Sequence, residues 1–180
     1  MFRWYHNAAK CYVYLSDVSI FDPVRDEPSS KPSWKSCFQQ SRWFRRGWTL
    51  QELLAPMLVE FFSKEGERLG DRISLVKEIH ETTRISIQAL HGGSLSKFTV
   101  DERMSWAERR ETKREEDAAY SLLGIFNIHI PLLYGEGRQK AFNRLRKEIL
   151  MDSSSDYSCR QSIHSTGLTV VVDPDEPSLE

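Results

Sequence analysis

CYVYLS at residues 11–16 and LVEFFS at residues 58–63 are two short runs of β-branched and aromatic residues, and the fold turns on them. Each has the length and composition of a strand. Between them, Asp17 to Ser33 holds three prolines and many polar groups, which predicts a loop. Ser41 to Leu54 carries a helical pattern, broken at Gly47 and stopped by Pro56. Strand, helix and strand in that order predict a βαβ unit, with parallel strands buried on both faces.

Beyond Gly70 the signals are helical. Asp71 is placed to cap a helix to about Thr83, with Ile73, Val76, Ile79 and His80 at helical spacing. Gly92 and Gly93 break the chain. Thr99 and Glu102 form a capping-box signature for a helix to about Arg109. Thr112 and Glu115 repeat it, predicting a helix through Phe126. Pro131 and the Gly135-Glu136-Gly137 turn precede a last helix from about Arg138 to Leu150. The predicted class is α/β, a parallel-sheet fragment over residues 1–68 followed by an α-helical region over 69–150. Residues 151–180 read as an acidic, serine-rich tail, mostly disordered, whose one apolar run, Leu168 to Val172, is a candidate edge strand.

Charge and composition narrow the function classes. The chain has 25 lysines and arginines against 26 acids, so no nucleic-acid footprint built on net charge is expected. The balance is uneven: residues 1–150 carry 24 bases and 20 acids, and the tail carries six acids with Arg160 as its one base. No stretch approaches the ~20 apolar residues of a membrane span. Three scattered cysteines (Cys11, Cys37, Cys159) suit reduced thiols in a cytosolic or nuclear protein rather than a disulfide framework, and a cytoplasmic location is expected. The five histidines never fall at metal-ligand spacing with a cysteine or carboxylate, so no metal is expected. The N-terminus lacks the basic and apolar regions of a signal peptide and starts inside an amphipathic pattern, as if within a domain.

The segment SRWFRRGWTLQELLAP (41–56) concentrates the residues able to do chemistry. On a helix Glu52 lies one turn from Trp48, beside the apolar stripe of Leu50, Leu53 and Leu54. A carboxylate next to an indole is partly desolvated, which suits acid/base or electrostatic work. The plainer alternative pairs Glu52 with Arg45 or Arg46 on the surface. Arg42, Arg45 and Arg46 are candidates for binding phosphate, the plainer alternative being a solvated face shared with the acids of the same region. Asp101 to Asp117, with five bases and seven acids, reads as exposed helix laced with weak ion pairs, or else as a docking surface. Asp117 to Tyr134 is nearly continuous in apolar character and reads as packing core.

Two segments resemble a known family. SRWFRRGWTLQELLAP, with MFRWYHNAAKCYVYLSDV before it, is similar to the later part of the fungal heterokaryon-incompatibility (HET) domain. DERMSWAERRETKREEDAAYSLLGIFNIHIPLLYGEGRQKAFNRLRKEIL resembles the region that follows that domain. The resemblance covers nearly all of residues 1–150 and implies a module of non-self recognition and programmed cell death, in truncated form because the family's opening strands have no counterpart. It further implies a distant TIR-like, flavodoxin-like sheet. The spacing of Trp48, Leu50, Glu52 and Leu53 matches a TIR motif whose glutamate cleaves NAD+. On that resemblance Glu52 is the catalytic candidate, with Trp48 and Arg46 binding substrate and NAD+ as substrate rather than cofactor. The alternative is a helical interaction region with protein partners or self-association and no chemistry of its own.

Overall fold

The computed structural model describes residues 2–21 and 34–164, with side chains described as far as Asp152. The architecture is built around one strand. β2 (Val59–Phe62) alternates, with Val59 and Phe61 fully buried, because successive side chains on a strand point to opposite faces. β1 (Cys11–Tyr14) pairs with it in parallel, placing Val13 opposite Phe61. β3 (Arg68–Asp71) pairs on the other side, antiparallel. The parallel pair and its helical crossover are the expected βαβ unit. β3 is additional: RLGD has no strand-forming composition and is held by its hairpin to β2, closed by Ser63 N–H donating to Glu67 O at 2.9 Å.

The sheet has one covered face, not two. Tyr12 and Tyr14 are 64% and 61% exposed, and the outer face carries a solvated charge network in which Arg68 meets Glu60 at 3.2 Å and Asp71 at 3.0 Å. The inner face is aromatic. Phe61 packs edge-on against Phe38 at 5.1 Å and Trp43 at 5.6 Å, and Phe38 meets Phe44 at 5.0 Å. Phe38 comes from α2 (Trp34–Gln40), Trp43 and Phe44 from the 3-10 turn Arg42–Arg45. α3 (Thr49–Leu54) completes the crossover and buries Leu50 and Leu53. Arg72, itself buried, ties the α3–β2 connection by donating to Leu53 O at 2.7 Å and Met57 O at 3.2 Å.

The rest is helical. α4 (Val76–Thr83) buries Ile79, while Ile73 lies outside the helix and is exposed. Asp71 ends β3 and its Oδ1 accepts from the Ile73 and Ser74 amides, so it caps a turn ahead of the helix. α5 (Ile87–Leu90) follows. α6 (Val100–Ser105) opens on the expected capping box at Thr99 and Glu102 but ends before Arg109. The second capping signature is overturned: Thr112 Oγ1 donates to Arg114 O at 2.7 Å, and no helix starts there. Helix begins instead at α7 (Asp117–Tyr120) and restarts at α8 (Leu123–Phe126), which Asn127 terminates in the left-handed conformation. Nor is the charged run all solvated, because Trp106, Arg110 and Glu116 are buried. Leu132, Leu133 and Tyr134, assigned above to the packing core, are about half exposed.

α9 (Arg138–His164) continues past the expected end at Leu150. Neither glycine nor proline occurs between 138 and 164, so nothing local stops it. The Leu168–Val172 run lies outside the described residues. Ala141, Leu145 and Ile149 belong to the same apolar cluster as Val13 and Phe61, and the helix packs against α7.

Two contacts fix the ends of this assembly. The strap before α9 is threaded onto Glu116, whose Oε1 accepts the amides of Gly135 at 2.7 Å and Gly137 at 3.0 Å. At the other end Phe2 of α1 (Phe2–Asn7) lies over Gly124, where a Cβ would stand 2.2 Å from Phe2 Cβ.

Gly124→Ala is expected to displace α1 and destabilise the chain by about 1–3 kcal/mol. Urea unfolding of Gly124→Ala, Phe2→Ala and the double variant checks this, the double being less destabilised than the sum; strict additivity would place the clash elsewhere. Hydrogen bonds from its own backbone and from the Gly137 and Gly135 amides hold the Glu116 carboxyl below its usual range. Its contribution is therefore complete above the ordinary glutamate pKa and lost as pH falls through the lowered folded value. Acid unfolding of Glu116→Gln should lack that component; an unchanged acid profile would exclude it.

Candidate functional site

The Ser41–Leu54 segment is shaped by hydrogen bonds that leave its polar groups in two places. Ser41 Oγ donates to Asp17 Oδ1 at 2.8 Å and caps the Trp43 amide, while Asp17 Oδ2 accepts the Arg42 amide at 2.8 Å. Burial works to raise the Asp17 carboxyl, but the Arg42 amide and Ser41 hydroxyl outweigh it and hold it low. The backbone then turns at Gly47, whose amide donates to Glu111 O at 2.9 Å. A Cβ at Gly47 would lie 2.4 Å from Thr112 Cγ2, so glycine is required by the close approach of the helical region.

Thr49 closes the turn. Its hydroxyl lies 2.7 Å from both Trp43 O and Arg46 O, and it accepts from Arg110 Nη1 at 2.8 Å. Arg110 also donates to Arg46 O at 2.9 Å and, through Nε, to Trp106 O at 3.2 Å. Burial pushes this guanidinium down to about 10, against the opposing field of Glu52, so it stays charged at neutral pH.

Glu52 sits on α3 facing α1, half-buried, and Tyr5 donates its phenol to Oε1 at 3.0 Å. No ion pair joins it to Arg45 or Arg46, both of which are exposed. Burial first, then the field of Glu52 and their hydrogen bond, push the Tyr5 phenol up to about 12. Burial and the same carboxylate raise the Cys11 thiol. Glu52 is thus the charge around which Tyr5, Cys11 and Arg110 gather. Such a carboxylate can stabilise a developing positive charge or accept a proton.

Arg46 and Trp48 are brought together elsewhere. They line a cleft of about 750 Å³ at the carboxyl end of β1, with Asp17, Arg42 and Arg45. Glu52 is not among its lining residues, so the three predicted site residues are split between the cleft and the α1–α3 contact. Tyr5, Cys11 and Arg110 carried no motif; Arg110 is one base among five in the run 101–117, and only burial distinguishes it. His6 and His80 meet backbone carbonyls, at Ala55 and Ile85. Among the described residues no group of three or more His, Cys, Asp and Glu side chains is arranged to hold a metal. No described helix is long and apolar enough to cross a membrane.

The Tyr5–Glu52 contact has a measurable signature. Between the ordinary phenol value of 10.0 and about 12 the unfolded chain has lost the Tyr5 proton and the folded chain keeps it. That contribution, complete below the lower value, declines as pH rises through the window. Glu52→Gln should move the Tyr5 ring titration downward in NMR; an unmoved titration would mean that burial alone sets it.

No protein-family model matches the chain, and no solved structure matches it. A curated relative does. Over 152 residues the chain is 57% identical to the vegetative incompatibility protein HET-E-1 of Podospora anserina, a match that covers 84% of this chain and 11% of that protein. The chain spans about a tenth of that relative's length. An identity of this degree over most of the chain shows that it belongs to the fungal heterokaryon-incompatibility (HET) protein family.

Proposed function

We propose that this chain is a signalling module of a HET-type incompatibility protein, acting through protein partners or self-association in non-self recognition and cell death. The observation that carries the reading is the 57% identity to a protein named for vegetative incompatibility. Residues 1–68 would supply the later part of the HET domain, 69–150 the helical region behind it, and 151–180 an acidic tail. A cytoplasmic location follows from the same reading. The apolar cluster that runs unbroken from Val13 to Ile149 supports a unit in which neither half acts alone.

A second reading is favoured by one arrangement. Glu52 lies on the crossover helix of a parallel strand pair, with its carboxylate held by Tyr5. That is the placement a TIR-like, flavodoxin-like fold would give to a carboxylate cleaving the nicotinamide–ribose bond of NAD+ through an oxocarbenium-like transition state. Trp48 and Arg46, in the cleft beyond the end of β1 that Glu52 does not line, would hold the part of the substrate away from the scissile bond.

The test exchanges the matching segment of HET-E-1 for this chain in the fungal host. The chimera should keep the incompatibility reaction; its loss, with the protein stably expressed, would defeat the module reading. NAD+ measured through the reaction separates the two mechanisms. A fall abolished by Glu52→Gln supports glycosidic cleavage, and cell death with constant NAD+ leaves a non-catalytic module.

A further inference from the structure

Arg42, Arg45 and Arg46, read from the sequence as candidates for binding phosphate or for a solvated face, all line the cleft at the end of β1. Arg42 is tied to Asp17, and Arg46 faces the cleft beside Trp48. Arg45 lines a second cleft as well, of about 440 Å³, where the 3-10 turn meets the end of α4 and the Trp106–Arg110 segment. Arg109 and Arg110 line it too. Three arginines therefore border one small cleft. Its single acidic lining residue, Glu81, is engaged by Gln39 Nε2 at 2.7 Å.

Arg110 is the informative member. It is 7% exposed, and two of its three nitrogens are fixed: Nε on Trp106 O, Nη1 on Arg46 O and Thr49 Oγ1. Nη2 is buried and has no hydrogen-bond partner among the described residues. Leaving a charged donor dry and unmatched is expensive, and such groups are retained where something else completes them. The plane of the guanidinium is already set, so an incoming acceptor meets a pre-oriented donor with little rotamer entropy left to lose. Arg45 and Arg109 are exposed, and among the described residues no hydrogen bond or ion pair holds either side chain. They are free to close on the same ligand. The buried rings of Phe44 and Trp106 in the lining keep the surroundings low in dielectric, which strengthens charge-assisted bonds.

We propose that this cleft binds a phosphate or diphosphate group of a small molecule, with Arg110 as the fixed donor and Arg45 and Arg109 as the closing pair. The site is separate from Glu52 and needs no catalysis there. Its volume and surplus of donors suit a compact polyanion; a carboxylate would leave donors unmatched.

The test titrates the full chain with inorganic pyrophosphate and with ADP by calorimetry and thermal melting, at ionic strength matched with chloride. The parent should bind pyrophosphate and melt at higher temperature as its concentration rises. The double variant Arg45→Gln, Arg109→Gln alters only exposed side chains, so its unliganded melt should match the parent while its affinity falls at least about tenfold. Arg110→Lys, which keeps the charge and loses the fork, should weaken binding further if it folds. Tighter binding of ADP than of pyrophosphate would support the site and assign the phosphate to a nucleotide; the reverse order would support it for a free diphosphate. No binding of either probe by the parent, or equal binding by parent and double variant, would overturn the proposal.

Discussion

Arg110 donates to Arg46 O and Thr49 Oγ1 while the Gly47 amide donates to Glu111 O, and this cross-link joins the sheet's crossover to the helical region. It is a constraint as much as a bond. The approach is so close that position 47 admits no side chain, and the arginine is so buried that its charge must be met by carbonyls and a hydroxyl. Removing an acceptor would leave a dry cation, which costs several-fold more than an exposed ion pair contributes. Gln51 reinforces the seam by donating to Ser121 O at 2.7 Å. A three-stranded sheet covered on one face depends on such a seam, since its outer surface offers little beyond Tyr12, Tyr14, the half-buried Phe62 and a few charges.

The seam also organises the charges. Arg110 lies within the field of Glu52, which adds to burial in raising Tyr5 and Cys11, so one carboxylate links α1, β1, α3 and the 106–111 segment. The same arginine borders the small cleft with Arg45 and Arg109. Rigid placement of a donor and a carboxylate by surrounding backbone is what binding and catalytic sites require. Here it is achieved by elements far apart in the chain.

Much of the fold was legible locally. The β1 and β2 runs, the break at Gly47 and the box at Thr99 and Glu102 depend on near-neighbour sterics and capping, which residue order carries. β3 was not legible, because RLGD has no strand propensity and exists through pairing with β2. Thr112 and Glu115 show the opposite error: a sound capping signature lost to tertiary demand. Gly47 and Thr112 are pressed together there, and Glu116 next door is committed to the Gly135 and Gly137 amides. Of the site, Trp48, Arg46 and Glu52 stood out by composition, but Tyr5 and Arg110 did not. A tyrosine 47 residues away and one arginine in a charged run have no local mark of their partnership.

The sequence by itself determined the parallel strand pair with its crossover, the helical second half and membership in the HET family. The first two rest on periodicity and turn chemistry, properties of neighbouring residues, and the third on the 57% identity to HET-E-1. Only the tertiary structure decided which charges meet. It separated Glu52 from the cleft of Arg46 and Trp48, gave it Tyr5, and drew Arg110 out of a charged run into the core. The physical reason is that burial and distance set the worth of a charge, and both are made by packing between residues far apart in the chain.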